Sequence, residues 1–156
     1  MLSQLNRLTV KADGRYATSE ELQFLKDYIQ SFEQRINAYQ KIQIAEAEIL
    51  SQVEAKMLAA NPNIFRKGNR NVTATCKRDR THVLRRSAAI LLTNDRDRLQ
   101  NFLLWYQTIV NVFQDKTAAG LCYQIMQEVV KQHLTPQEAT LVSPILELNH
   151  VILGKS

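Results

Sequence analysis

Cys76 stands in the run Thr73-Ala74-Thr75-Cys76-Lys77-Arg78-Asp79, flanked by more positive charge than any other part of the chain. Residues 66 to 86 carry eight of the twenty Lys and Arg residues and one acid, Asp79. That window therefore holds +7 of a chain whose net charge is +5, leaving −2 for everything else. Cations beside a thiol favour the nucleophilic thiolate. They also receive ligands that carry carboxylates. A covalently held, dianionic ligand would use both properties. On a helix, Cys76, Asp79, Arg80 and Val83 follow the i, i+3, i+4, i+7 spacing and share a face. Arg78 points elsewhere, although its side chain is long enough to curl back. Cys76 would lie in the first turns of that helix, where the dipole also favours a thiolate.

The elements that must position these groups read as helices. With four Gly and three Pro in 156 residues, long uninterrupted helices are expected. Residues 1 to 18 form a leader of weak periodicity. Thr18-Ser19-Glu20-Glu21 has the composition of a helix start. Leu22, Leu25, Ile29, Phe32 and Ile36 recur at helical spacing. A break near Asn37 is expected before the pattern resumes from Ile42 to about Ala60. Asn61-Pro62-Asn63 ends it, and residues 66 to 71 read as a loop. Further helices are expected over Val72 to Leu92, Arg96 to Phe113, Ala118 to Leu134 and Gln137 to Leu153, with Pro144 kinking or splitting the last. Gln114 to Thr117 reads as a turn and cap. Six to eight helices with no convincing strand make an all-α single domain.

The resemblance carried by these residues is to the phycobiliproteins, the bilin-bearing subunits of the cyanobacterial and red-algal antenna. The Thr73 to Asp79 run resembles their Thr-Ala-Thr-Cys-x-Arg-Asp motif, most closely that of α-type allophycocyanin subunits. Ala12-Asp13-Gly14-Arg15-Tyr16 is similar to the N-terminal Ala-Asp-x-x-x-Arg-Tyr pattern, with a shorter spacer. Glu21-Leu22, Arg35, Leu84-Arg85 and Thr93-Asn94-Asp95 fall at further positions of the pattern. The resemblance implies a globin-like helical domain (about residues 35–156) with an N-terminal helical pair for subunit docking (about 1–34). It implies that Cys76 forms a thioether to phycocyanobilin, a linear tetrapyrrole. Asp79 would accept from the pyrrole N–H groups, and Arg78 would pair with a propionate, assisted by Arg80 or Lys77. The implied partners are a homologous β-type subunit, in trimeric or hexameric rings of heterodimers, and linker polypeptides. Asp13, Tyr16 and Arg85 hold docking positions. The implied role is light harvesting and excitation transfer in a phycobilisome, without turnover. The implied location is the cytoplasm beside the thylakoid membrane, or the chloroplast stroma.

The chain also departs from the pattern. Thr81-His82-Val83 replaces the usual Asp-Tyr-Tyr, and the loop before the cysteine is about three residues shorter. A pigment-free assembly or regulatory module of the same fold is the alternative reading. Other classes fare worse. Clustered cations bind phosphate backbones, but no helix-turn-helix, zinc or RNA-platform signature accompanies them, and aromatics do not interleave with the charges. His82, His133 and His150 are scattered, so neither a metal site nor haem ligation has a pattern behind it. No Gly-rich phosphate loop or nucleophile–base spacing marks an enzyme. Cys122, between Leu121 and Tyr123, reads as core, as do Phe102, Trp105 and Tyr106 at a core or an interface. Asp79 itself is open to a plain reading, as a surface acid paired with Arg80 or Arg86 for less than about 1 kcal/mol. Two cysteines make no disulfide framework, which suits a reducing compartment. The N-terminus lacks the regions of a secretory signal.

Overall fold

In a computed structural model that describes residues 1–113 and 115–154, the chain forms six helices and one short hairpin. They are α1 (Leu2–Lys11), α2 (Gln23–Ala60), β1 (Arg66–Lys67), β2 (Arg70–Asn71), α3 (Thr73–Thr93), α4 (Arg96–Val112), α5 (Lys116–Gln132) and α6 (Pro136–Gly154). The expected all-α, globin-like architecture is what the described residues show.

The expected break at Asn37 is absent: α2 runs 38 residues without interruption. Asn is a poor helix former, but the penalty is a fraction of a kcal/mol. Packing of the neighbouring Ala38 and Ile42 into the core outweighs it. The leader also contains a helix, α1, in which no residue is buried. Leu2, Leu5 and Leu8 do recur at three-residue steps along it, a helical signal that the reading of weak periodicity passed over. Thr18 and Glu21 exchange bonds as a capping box: the Thr18 N–H donates to the Glu21 carboxylate and the Glu21 N–H to Thr18 Oγ1. The box closes a turn, and α2 begins only at Gln23.

The stretch read as a loop is a two-stranded hairpin, with Arg66 opposite Asn71 and Lys67 opposite Arg70. Gly68 takes φ +59° at its tip. A glycine at the first of two turn residues is what a tight hairpin of this kind requires. Pro144 neither splits nor ends α6, which continues to Gly154. Ile145 and Leu146 are buried immediately after it and hold the helix in register. Gln114, the first residue of the expected turn, lies outside the described residues.

α2 and α3 pack as an antiparallel pair stitched from end to end. Tyr28 Oη donates to the Leu92 carbonyl and Arg35 Nη1 to the Leu91 carbonyl. Further along, Glu46 accepts two bonds from Arg85, and Glu54 accepts from Arg80. α5 and α6 pack closely enough that Gly120 and Gly154 lie backbone to backbone. A Cβ on Gly154 would fall 2.4 Å from Gly120 Cα. The core sits between these pairs and α4, around Ile49, Met57, Leu91, Leu99, Leu103, Met126 and Leu146. Every buried residue of α2 lies at or after Arg35.

α1 is tethered to the α3–α4 joint. Asn94 ends α3 in the left-handed conformation at φ 48°, and Asp95 caps α4. The Asp95 carboxylate accepts from the Ser3 N–H at 3.0 Å and from Ser3 Oγ at 2.8 Å. Those bonds outweigh burial and hold its carboxyl below the ordinary carboxylate range.

Candidate functional site

The hairpin and the first turn of α3 bring Cys76 to the edge of a cleft between α2, α3, α4 and α5. Asn71 Oδ1 accepts the Thr73 N–H at 2.9 Å and starts the helix. The Cys76 N–H already donates to the Val72 carbonyl at 2.9 Å. The cysteine is half-buried. The cleft is narrow, about 60 Å³, and Cys76, Asp79, Arg80, Tyr106 and Cys122 are among its walls. Asp79 and Tyr106 also line a second groove of about 210 Å³ with Arg78, His82, Phe102 and Trp105. The two depressions therefore meet at Asp79 and form one track along α3 and α4.

Arg80 is the residue whose position the sequence least betrays. Its side chain is only 4% exposed and pairs with Glu54 at 2.8 Å. The guanidinium stacks over Phe65 at 4.9 Å, a cation–π contact. Its Nε is buried with no hydrogen-bond partner. Arg80 is thus a wall of the cleft with one unused donor. Arg78 does the opposite: 76% exposed, it donates from Nε to Asp79 Oδ1 at 3.1 Å. Asp79 consequently pairs with Arg78, not with Arg80 or Arg86 as the plain reading had it. Lys77 is exposed and is not among the residues lining the cleft or the groove. Cys76, Asp79 and Arg80 are brought together, Arg78 joins at the rim, and Lys77 does not.

The expectation of a ready thiolate is overturned. Burial pushes the Cys76 thiol above its ordinary value, Asp115 adds to the rise, and Arg80 opposes both. The cations that should have stabilised the thiolate are engaged elsewhere. Arg80 is taken by Glu54, and Lys67 by Asp115 at 2.7 Å. Asp115 itself lines the cleft. The Cys76 amide is also satisfied within the helix, so the free N–H groups of the first turn point elsewhere. Alkylation of the folded protein by iodoacetamide at pH 7 should therefore be slow. It should rise about tenfold per pH unit until past pH 9, because only the thiolate reacts. A plateau already reached at neutral pH would contradict this environment.

Cys122 is buried, and burial pushes its thiol up to about 12. It is core, as expected, although it also borders the cleft. Burial, and then Asp79, raise the Tyr106 phenol above its ordinary value. Phe102 stacks on Tyr106 with ring centroids 5.9 Å apart and planes 5° from parallel. His82 and Trp105 lie beside Phe102 at 5.9 Å each. This aromatic shelf, together with Tyr106 and Asp115, is the part of the site that sequence reasoning did not assign. The helical spacing of Phe102 and Tyr106 marked them only as apolar-face residues.

A flat, conjugated, anionic group fits these residues. The shelf offers π-faces, Asp79 offers an acceptor in the middle of the track, and Arg80 Nε is an orphaned donor in the wall. Residues 8–152 match the family described as phycobilisome protein. The chain belongs to the phycobilisome protein family. It is 30% identical over 130 residues to a phycobiliprotein beta chain of Mastigocladus laminosus, covering 78% of this chain and 75% of the relative. It is 24% identical over 138 residues to the allophycocyanin subunit beta-18 of Aglaothamnion neglectum, covering 83% and 79% respectively. Both relatives are β-type chains, whereas the run around Cys76 resembles α-type allophycocyanin. Members of this family are light-harvesting pigment proteins and not enzymes, and they carry covalent bilins. Among the described residues of this phycobilisome protein, no group of His, Cys, Asp and Glu could hold a metal ion. No described helix is long and apolar enough to cross a membrane.

Proposed function

We propose that this phycobilisome protein carries one covalent linear tetrapyrrole, of the phycocyanobilin type, on Cys76 and serves as an antenna subunit. The observation that carries this reading is the meeting of a half-buried thiol, a carboxylate and an aromatic shelf along one track. When bound, the pigment supplies absorption of visible light and onward transfer of the excitation. The protein's part is attachment and stiffening. Cys76 would hold the pigment by a thioether, its S–H adding across an ethylidene C=C with the proton going to the adjacent carbon. No oxidant or reductant is consumed. Asp79 accepts from the pyrrole N–H groups, a charge-assisted contact about twice as strong as a neutral one. Arg80 closes the wall with its free Nε. Arg78, exposed at the rim, would pair with a propionate. Lys77 has no assigned part in this geometry.

The subunit docks through its N-terminal segment on a complementary phycobiliprotein chain, in rings joined by linker polypeptides. In support, α1 has no buried residue, Tyr16 is 97% exposed, and Ile29 and Phe32 on the early turns of α2 are exposed as well. Such apolar surface marks an interaction site. It belongs to about residues 1–34, with the pigment-bearing core in about 35–156. The subunit works beside the thylakoid membrane.

Coexpression with phycocyanobilin synthesis and a bilin lyase tests the reading. Zinc-induced fluorescence should mark the denatured band, and mass spectrometry should place the added mass on the Cys76 peptide. A colourless chain isolated from its own host would instead support the pigment-free assembly module. That alternative draws on His82 and Val83, which stand where related chains have two tyrosines. Asp79→Asn should leave the pigment attached while weakening the red absorption and emission, since the acceptor for the ring nitrogens is lost. An unchanged spectrum would remove Asp79 from the pigment's contacts.

A further inference from the structure

Beside the pigment track, with which it shares His82, α3 and α4 enclose a larger groove of about 420 Å³, lined by His82, Arg85, Arg86, Ile90, Thr93 and Arg98, with Ala89. No carboxylate lines it. We propose that this groove docks an acidic segment of a partner polypeptide. The argument begins with the charges. Arg85 is spoken for, its fork closed on Glu46 at 2.7 and 2.6 Å. Arg86 and Arg98 have no ion pair among the described residues. Grouping like charges in one groove costs stability unless an outside charge of opposite sign complements them.

The geometry narrows the ligand. Arg86 is partly buried, and its guanidinium lies over the Phe102 ring at 4.2 Å. A stacked guanidinium is pre-organised and keeps its N–H edge for a planar, bidentate carboxylate. His82 lies one turn before Arg86 on the same face of α3. Arg98 approaches from the first turn of α4. The glycines of the chain, at positions 14, 68, 120 and 154, are all outside the groove, so it lacks the glycine-built backbone cradle that phosphate sites use. Its floor includes Ala89 and Ile90, which suit an apolar side chain. No Phe, Tyr or Trp lines the groove to stack a nucleobase. Carboxylates interspersed with apolar residues match this surface better than phosphates do.

The test is fluorescence anisotropy on the full chain with a short fluorescein-labelled Glu/Leu peptide and its Gln/Leu counterpart. The acidic peptide should bind, weaken as salt rises from about 50 to about 300 mM, and exceed the neutral peptide by about tenfold or more. Arg86→Gln with Arg98→Gln should cost at least about tenfold, while Arg78→Gln at the pigment rim should change little. Arg98→Gln alone, at an exposed helix position, should weaken binding without altering the thermal melt, which separates recognition from folding. Equal binding by the two peptides, or an unchanged affinity in the double variant, would overturn the proposal. So would tighter binding of a single-stranded oligonucleotide than of the peptide. Loss of peptide binding once a bilin occupies Cys76 would also overturn it, because the groove would then belong to the pigment.

Discussion

Cys76→Ser is expected to abolish the covalent pigment entirely while leaving the fold intact. The zinc-fluorescent band should vanish, because a hydroxyl at this site has no accessible oxyanion to add to the bilin. The stability change should be small, under about 1 kcal/mol, since the side chain is half-buried and the exchange is nearly isosteric. Cys122→Ser should reverse the pattern. Its sulfur is buried in the core, and a hydroxyl placed there without a partner costs about 1–3 kcal/mol. The pigment should stay attached. Both thiols border one cleft, so the pair of variants is decisive. Pigment retained by Cys76→Ser and lost by Cys122→Ser would move the attachment point.

Arg80→Ala should be the most destabilising single change in the basic segment. It removes a stack on Phe65 and the partner of Glu54, whose own side chain is 28% exposed. A buried pair broken from one side leaves an uncompensated charge, commonly about 3–5 kcal/mol. Because Glu54 reaches some water, a loss of about 2–3 kcal/mol is expected here, or roughly 5–10 °C in the melting temperature. Arg80→Met keeps much of the volume over Phe65 and should cost less than half as much. An Arg80→Ala melt within 2 °C of the parent (about 0.5–1 kcal/mol) would show that the Glu54 pair is structurally idle. Arg78→Ala, at an exposed rim, should fall within about 0.5 kcal/mol of the parent.

Much of the helical plan was readable, and the misses share a cause. The face shared by Cys76, Asp79 and Arg80 follows from spacing alone, and the helix that carries it was placed within a residue of its observed ends. What spacing could not convey was where each cation goes. Lys67, Arg80 and Arg85 were counted as a field around the thiol, yet their partners Asp115, Glu54 and Glu46 lie 26 or more positions away in sequence. A local charge count therefore reversed the sign of the thiol's shift. The hairpin had a signal, Gly68-Asn69 between Lys67 and Arg70, but two-residue strands leave no alternation to read. α1 had one as well, Leu2, Leu5 and Leu8 at three-residue steps, but it spans only ten residues and was passed over. Asn37 and Pro144 were read by propensity, and packing of their neighbours decided otherwise.

The unbroken α2 has a mechanical corollary. At 1.5 Å per residue its 38 residues form a strut about 57 Å long. One end displays Ile29 and Phe32 to the surroundings, and the far end supplies Glu54 and Met57, the two residues that grip Arg80. No flexible joint interrupts it, so a shove at the exposed end arrives at the guanidinium beside the thiol without being absorbed on the way. Assembly and colour tuning would then be two readings of one lever.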